Sequence, residues 1–340
     1  MPAYILKRLA LLPVVALGVT FLLFSLTQIL SPEMRASLYI QDPRQLDSLE
    51  EVIRENGLRD SAAKQYVRWL GKLAHGELGY SQTAKMSVAD ALKAYLPATL
   101  ELAAATMIPV LIIGLWLGTA CAVRKNGFLD NAARAVSITG YSLPIFVLGL
   151  LLLMVFYGKL RWLPPGRYGL EAENIISSGA FRHFTGLLLL DSLLNFSPAV
   201  FWDALKHLLL PAAALCLGSV ALLIRVTRSS MLEELGKDYV RTARAKGLPE
   251  KTVIAHARRN ALIPVITLAS LQFVRLLGGV VITETVFDFP GIGRWGALAA
   301  QQLDIPAVLG FALMTSALFV AGNLAADVLY AVADPRIRLE

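Results

Sequence analysis

The sequence predicts an all-α polytopic membrane protein with six membrane-spanning helices and a small helical cap outside the membrane. Of its 340 residues, 56% are hydrophobic and 17% are charged, and the mean hydropathy is +0.59, which is too apolar for an ordinary soluble chain. About 20 helical residues cross a hydrocarbon core of about 30 Å. Six apolar runs meet that requirement: residues 9–30, 102–123, 135–158, 207–224, 261–286 and 306–330.

Two apolar stretches need a separate interpretation. The first run, 9–30, is longer than the apolar core of a secretion signal and has no small-residue cleavage site after it, so we expect a retained helix. The patch 186–202 is interrupted by Asp191 and Pro198. It is therefore predicted to form an interfacial or re-entrant helix rather than a seventh span.

The segment between the first two spans, residues 31–98, is predicted to fold outside the membrane. It carries nine Lys and Arg and nine Asp and Glu. Residues 46–56 and 62–74 show the apolar spacing of helices, and Gly57 lies between them as a stop. These features predict the helical cap.

The positive charges predict the orientation of the chain. The amino terminus, the second and fourth connecting segments and the carboxyl terminus together hold sixteen Lys and Arg against seven Asp and Glu, whereas the first connecting segment is balanced. Basic loops remain on the cytoplasmic side of a membrane. Both termini are therefore expected in the cytoplasm.

The most basic connecting segment is residues 238–264, with six Lys and Arg against two Asp and Glu. Residues 242–246 are compatible with a short helix, Gly247 is a natural terminator, and Pro249 is expected to prevent the helix from resuming. Ala243 and Gly247 are four residues apart and share a face that carries almost no side chain, which could press into a partner's groove. The alternative is a basic helix resting on anionic lipid headgroups.

This loop resembles the cytoplasmic loop of permease subunits in binding-protein-dependent ABC importers, where an alanine-rich stretch, a fixed glycine and a downstream Leu-or-Ile-Pro pair mark the coupling helix. Pro264 follows Gly247 by seventeen positions rather than the general thirteen, and the ending HARRNALIP is the variant of the dipeptide and oligopeptide branch. Arg244 and Arg258 stand where alanine-like or leucine-like residues are commoner. Other stretches resemble the same branch: YILKRLALLPVVALGVTFLLF, VRWLGKLAHGELGYS with LPATLELA, VFDFPGIGRW and ADPRIR.

The resemblance implies a type I ABC importer permease fold and the first-permease (B-type) subunit of the dipeptide, oligopeptide and nickel branch, in a bacterial or archaeal cytoplasmic (inner) membrane. It divides the chain into an amino-terminal transmembrane helix (1–30), an extracytoplasmic helical segment (31–98) and a transmembrane domain (99–340) with a coupling loop at 229–260. The residues it assigns to ATPase coupling are Asp238, Tyr239, Thr242, Ala243, Lys246, Gly247 and Leu248.

The same resemblance implies partners and cargo. The partners would be a second permease subunit, two ATPase subunits, an external substrate-binding protein and the lipid bilayer, with no nucleic acid. Peptide is the expected cargo, and nickel chelate, glutathione or oligosaccharide are the alternatives. Functions of other classes are a secondary carrier, which usually needs an inverted repeat within one chain, and a membrane sensor whose loop docks a signalling protein.

The sequence lacks the motifs of an enzyme. No Gly-x-x-x-x-Gly-Lys-Ser/Thr phosphate loop occurs, and the four histidines show no metal-ligand spacing. Cys121 and Cys216 both lie inside apolar runs and are expected to be small core residues. We therefore expect no catalytic residue, metal or cofactor in this chain, with ATP and magnesium bound by the ATPase subunits.

Charged residues inside the predicted spans are candidates for the translocation pathway. Glu101 is placed in the first turn of the second span, where the positive helix end favours a carboxylate. Arg275 is placed past the middle of the fifth span, so it needs a partner or a wet cavity. The candidate partners are Glu101, if the second and fifth helices are adjacent, a carboxylate of the second permease, or carboxylate-bearing cargo. Asp327, near the inner end of the sixth span, is too far away and is expected to pair with a cytoplasmic arginine.

Overall fold

Helices make up almost all of the chain in the computed structural model, which describes residues 2–36, 49–278 and 280–333. The cap and the first two spans contain α1 (Pro2–Thr27), α2 (Pro32–Ala36), α3 (Leu49–Glu55), α4 (Ala62–Ala74), β1 (Tyr80–Ser81), β2 (Met86–Ser87) and α5 (Val88–Val123). The middle of the chain forms α6 (Phe128–Ser142), α7 (Ile145–Leu152), a π-helical segment (Leu153–Lys159), α8 (Leu170–Ser177), α9 (Leu188–Leu194) and α10 (Pro198–Leu235). The remainder forms α11 (Asp238–Ala245), α12 (Glu250–Leu277), α13 (Val281–Val286), α14 (Ile292–Gln301) and α15 (Ile305–Ala333).

The predicted all-α polytopic membrane fold is confirmed. Helices α5, α10, α12 and α15 are long and apolar enough to cross a membrane, and shorter apolar helical stretches occupy Pro13–Thr27 and Ile145–Lys159. These six segments fall on the six predicted spans. Several helices continue well beyond the apolar runs. Helix α5, for example, begins at Val88, where the Ser87 hydroxyl accepts a hydrogen bond of 3.1 Å from the backbone N–H of Asp90.

Two of the predicted spans are interrupted. The third is not the continuous helix expected for 135–158, because α6 ends at Ser142 and α7 begins at Ile145. Leu143, the residue before Pro144, is extended at φ −85° and ψ 129°, as expected for a residue whose helical conformation clashes with a proline ring. The fifth span, expected over 261–286, ends at Leu277 and resumes as the short helix α13.

The predicted interfacial or re-entrant helix at 186–202 is divided between two elements. Its first half forms α9, and Pro198 begins the long helix α10, where proline at the first position is favoured because it needs no N–H partner there. Asp191 does not interrupt α9. It is fully buried and accepts hydrogen bonds from the backbone N–H groups of Thr185 (2.8 Å) and Gly186 (2.9 Å).

The main core lies where α10 packs against α5 and α12. Two glycines of α5 allow α10 to approach closely: a Cβ on Gly114 would lie 2.5 Å from Leu223, and one on Gly118 would lie 2.5 Å from Thr227. Their four-residue spacing is the small-residue pattern by which membrane helices pack backbone against backbone. Helix α10 is therefore the central element of the described structure.

The helical cap is present, with α3 and α4 separated at Gly57, whose φ of +57° suits a helix stop. Residues 46–48 of the first predicted cap helix lie outside the described residues. The structure adds an antiparallel β1–β2 hairpin that the sequence did not predict. The buried carboxylate of Asp304, at the start of α15, fixes this hairpin by accepting hydrogen bonds from the Ser81 hydroxyl (2.7 Å) and the Thr83 backbone N–H (2.9 Å).

Candidate functional site

The short helix predicted in the basic loop is confirmed as α11, eight residues long, between the ends of α10 and α12. Gly247 has φ +73°, and the backbone N–H groups of Gly247 and Leu248 donate to the carbonyls of Arg244 (2.9 Å) and Ala243 (3.3 Å). This is the usual left-handed helix stop. Pro249, however, does not prevent a new helix: it is the residue immediately before α12, which begins at Glu250.

One face of α11 packs on the chain itself. Val240 is buried, and it lies with Met231 of α10 and Val253 and Ala257 of α12 in one apolar cluster, against which Ala243 packs. At Gly247 the situation differs, because a Cβ added there would meet no atom within 4 Å. The predicted small face is therefore divided, with Ala243 turned towards the core of this chain and Gly247 in open space.

The opposite face of α11 and the turn after it are exposed. Besides Arg244 and Ala245, the exposed residues are Asp238, Tyr239, Arg241, Thr242, Lys246, Gly247 and Leu248. The structure thus places six of the seven predicted coupling residues on one accessible surface, which we call the coupling surface. Ala243 is the exception, since it is half-buried beneath that surface.

Polar contacts fix the geometry of the coupling surface. The Tyr239 hydroxyl donates to Glu234 at the end of α10 (2.7 Å), and the Lys237 ammonium pairs with the same carboxylate (2.5 Å). The hydrogen bond to Glu234 raises the pKa of Lys237, while partial burial and the same carboxylate raise the pKa of Tyr239. Both side chains therefore keep their protons at neutral pH.

Arg244 closes the turn between α11 and α12. Its guanidinium donates to both carboxylate oxygens of Glu250, at 2.7 and 3.2 Å. This bidentate pair links the last turn of α11 to the first residue of α12. The departure from the family pattern at Arg244 therefore coincides with a contact inside this chain.

The two candidate pathway charges do not pair with each other. Glu101 lies well inside α5 rather than in a first turn, because that helix begins at Val88. Its carboxylate accepts from the guanidinium of Arg167 (3.2 Å) and from the backbone N–H of Leu189 (2.6 Å), and Arg167 also donates to the carbonyl of Gly186 (2.7 Å). Glu101 thus ties α5 to the first turn of α9 directly and, through Arg167, to the loop that precedes α9.

Arg275 lies in the last turn of α12, and its side chain is exposed. Within the described ranges, no carboxylate of this chain lies within ion-pair distance of it. The continuous fifth span expected over 261–286 is therefore not observed, because the helix ends two residues after Arg275, at Leu277. The predicted depth of Arg275 in the membrane remains a prediction. The role of Asp327, which lies in α15, remains a prediction.

Glu284 is a buried carboxylate that sequence reasoning missed. It is completely buried and accepts hydrogen bonds from the Thr99 hydroxyl (2.8 Å) and the Arg294 backbone N–H (2.8 Å), and the Thr99 hydroxyl in turn accepts from Ile292 N–H (2.9 Å). The Glu284 carboxylate and the Thr99 hydroxyl thus accept hydrogen bonds from backbone N–H groups at the start of α14, which have no partner within that helix. A charged residue inside the fifth apolar run was the signal that could have identified it.

Another buried carboxylate, Asp130, lies in the first turn of α6 and outside the apolar run of the third span. The guanidinium of Arg228 donates two hydrogen bonds of 2.6 and 2.8 Å to the Asp130 carboxylate, and the backbone N–H of Asn126 donates a third of 2.9 Å. These bonds, foremost those from Arg228, lower the pKa of Asp130 to about 2. The pair connects the start of α6 to α10 two turns before α10 ends.

Comparison with known proteins identifies the family of the chain. Residues 110–339 match the model of the family described as "Binding-protein-dependent transport system inner membrane component". The chain therefore belongs to that family.

Curated relatives cover almost the whole chain. It is 40% identical to the Di/tripeptide transport system permease protein DppB of Pseudomonas aeruginosa (strain UCBPP-PA14), over 99% of both chains. It is 42% identical to the Probable D,D-dipeptide transport system permease protein DdpB of Escherichia coli (strain K12), over 96% of this chain and 94% of the relative. It is also 36% identical to the Oligopeptide transport system permease protein AppB of Bacillus subtilis (strain 168), over 99% of both chains.

Proposed function

We propose that this chain is a permease subunit of an ATP-driven importer and forms half of the translocation pathway for di- or oligopeptides delivered by an external binding protein. The coupling surface is the main support for this proposal. It belongs to a short helix whose inner face packs on α10 and α12 and whose outer face is exposed. The chain that carries it belongs to the family of binding-protein-dependent transport system inner membrane components. Near-full-length similarity to three permeases named for peptide transport supports peptide as the cargo.

The coupling surface can transmit motion because it is fixed to two spans. Val240 packs against Met231 of α10 and Val253 of α12, and Arg244 and Glu250 link α11 to α12. A partner that moves α11 must therefore move the inner ends of α10 and α12 with it. The partner would be an ATPase subunit, which binds ATP and magnesium, and the complete assembly would contain two of these subunits and a second permease.

The proposal is tested by reconstituting the chain in proteoliposomes with its second permease, ATPase subunits and binding protein. We expect uptake of a labelled di- or tripeptide that requires ATP and the binding protein. Uptake of a nickel chelate, glutathione or an oligosaccharide instead of peptide would replace the proposed cargo. Failure of the ATPase subunits to co-purify with the chain would contradict the importer, leaving a carrier or sensor.

We also propose that both termini and the coupling surface are cytoplasmic and that the cap is outside. In a variant with Cys121 and Cys216 replaced by alanine, single cysteines are placed at the exposed residues Lys64 of α4 and Lys246 after α11. A membrane-impermeant maleimide added to intact spheroplasts should label the cysteine at 64 and not the one at 246. Both should react after permeabilisation. Labelling of position 246 in sealed cells would reverse the assigned orientation.

Arg275 is proposed to face the translocation pathway, because it is exposed at the end of a span and has no ion-pair partner among the described residues. Arg275→Ala should reduce uptake of peptides with free carboxylates while the subunits still co-purify, since an arginine can hold a carboxylate through two hydrogen bonds. Arg275→Lys, which keeps the charge, should retain more activity. Unchanged uptake by the alanine variant would exclude this role, and loss of the complex would instead indicate a contact with the second permease.

A further inference from the structure

A cavity of about 450 Å³ lies between the cap and the ends of two spans, on the opposite side of the protein from the coupling surface. Its walls come from the last turn of α1, the cap helix α4, the segment around the β-hairpin and the first turns of α15. Phe24, Trp69 and Leu309 are among its apolar lining residues, and Arg35, Arg68 and Lys72 supply positive charge. The lining thus combines apolar side chains with three cations and one carboxylate, that of Glu77.

Arg35 is the unusual member of this lining. It is only 8% exposed, and its Nη1 donates to two neutral acceptors, the amide oxygens of Gln28 (2.8 Å) and Gln65 (2.6 Å). Its Nε is buried without a hydrogen-bond partner. In the part of the chain that the structure describes, no carboxylate lies within ion-pair distance of Arg35, and the nearby Glu33 affects it only over a longer range.

The other two cations already have partners. Arg68 forms an ion pair with Asp60 (2.8 Å). The Lys72 ammonium donates a hydrogen bond to the Asn56 side chain (2.8 Å) and is attracted by the nearby Glu77 carboxylate. Burial lowers the pKa of Lys72, so this ammonium lies in a poorly solvated environment as well. Among the described residues, Arg35 therefore remains a cation of the cavity wall with no carboxylate at ion-pair distance.

A buried arginine without a counter-ion is costly, so the cavity favours an anion that supplies the missing charge. Gln65 holds the guanidinium in place, because the amide N–H₂ of Gln65 is committed to the carbonyls of Leu58 (3.0 Å) and Asp60 (2.6 Å), which turns the amide oxygen towards Arg35. Arg35 is thus presented in a fixed orientation. A planar guanidinium in that state suits an anion with several acceptor oxygens, such as a phosphate group.

The position of the cavity indicates where such a phosphate comes from. α1 ends at Thr27 and α15 begins at Ile305, so the cavity lies at the depth of lipid headgroups. Phe24, Tyr66 and Trp69 form an aromatic cluster there, with ring centroids 5.2 to 6.4 Å apart, as expected at a membrane interface. One turn further into the membrane, the exposed Phe21 continues this surface along α1.

We infer that this cavity is a binding site for a phosphate-bearing anion, with Arg35 as the principal ligand, and that the headgroup of an anionic phospholipid from the outer leaflet is its occupant. The lipid phosphate supplies the charge that Arg35 lacks, and the acyl chains lie along the exposed apolar face of α1. Inorganic phosphate shares the chemistry of the headgroup but would leave the apolar half of the cavity unused.

The test uses the assembled transporter in nanodiscs of phosphatidylglycerol or of phosphatidylcholine, followed by detergent extraction and native mass spectrometry. We expect wild-type complexes to retain phosphatidylglycerol in preference to phosphatidylcholine. Arg35→Gln should lower that retention about five-fold, the scale on which one basic side chain attracts anionic lipid. The matched control is Arg59→Gln, which removes an exposed arginine of the same cap that pairs with Glu50 (2.9 Å) and should change nothing.

Inorganic phosphate is tested separately in phosphatidylcholine nanodiscs by its effect on the melting temperature. Stabilisation by phosphate alone, lost in Arg35→Gln, would assign the site to a soluble anion. Equal retention of the two lipids, or equal losses in Arg35→Gln and Arg59→Gln, would overturn the site. If Arg35→Gln does not assemble, Ala89→Phe decides the question, since it narrows the cavity without removing a charge; unchanged retention of phosphatidylglycerol in that variant would refute the inference.

Discussion

Replacing Gly247 by phenylalanine is expected to abolish most ATP-driven uptake while the chain still inserts and binds its partners. Two physical effects combine at this position. The backbone has φ +73°, a conformation that costs an L-residue with a side chain about 1–2 kcal/mol. The side chain would also project into open space, where no atom of this chain lies within 4 Å and where the proposed ATPase contact forms.

Two further variants separate these effects. Gly247→Asn should keep most activity, because asparagine tolerates the left-handed conformation and is small. Gly247→Ala introduces the backbone strain without the bulk and should give an intermediate rate. Uptake and co-purification of the ATPase subunits are measured for all three variants. A phenylalanine variant that assembles and transports at the normal rate would show that this surface does not couple.

Asp130→Asn is expected to be the most destabilising of the substitutions considered, lowering the free energy of unfolding by about 3 kcal/mol. The carboxylate is fully buried and accepts two hydrogen bonds from Arg228. The Arg228 side chain is only 20% exposed. Removing the negative charge therefore leaves a mostly buried guanidinium without its counter-ion. Glu51→Gln, which breaks an exposed pair with Arg54, should behave like the wild type, because such surface pairs contribute little.

The stability of the purified complex, followed by thermal denaturation, gives the measurement. The double variant Asp130→Asn with Arg228→Gln should recover part of the loss, because no unpaired charge then remains. The contribution of this pair also depends on pH. Since folding lowers the pKa of Asp130 from 3.8 to about 2, the contribution is present above about pH 4 and is lost as the pH falls towards 2. A single variant as stable as the wild type would show that the pair is dispensable.

The spans were predictable because a long, predominantly apolar run indicates a membrane span directly, and short-range rules located α11 and its stop at Gly247. The ends of the helices were less predictable, because they do not coincide with the ends of the apolar runs. Helix α5 begins after Ser87, fourteen residues before the second apolar run. Pro144 divides the third span, although the residues on both sides of it are apolar.

The polar contacts of the site could not be predicted from spacing. Glu101 binds Arg167, 66 residues away, and Asp130 binds Arg228, 98 residues away, so only the packing of the spans brings each pair together. Ala243 illustrates the same limit on a smaller scale. Its four-residue spacing from Gly247 is helical, but the packing of α11 on α12 decides that one residue faces the core and the other faces outwards.

The contact between the β-hairpin and Asp304 also orders events during synthesis of the protein. Ser81 is translated 223 residues before the carboxylate that holds it. The hairpin is therefore made, and in the proposed orientation exported, long before its anchor exists. The cap can acquire this attachment only after α14 has been made, so a part of the protein that is synthesised early is among the last to be completed.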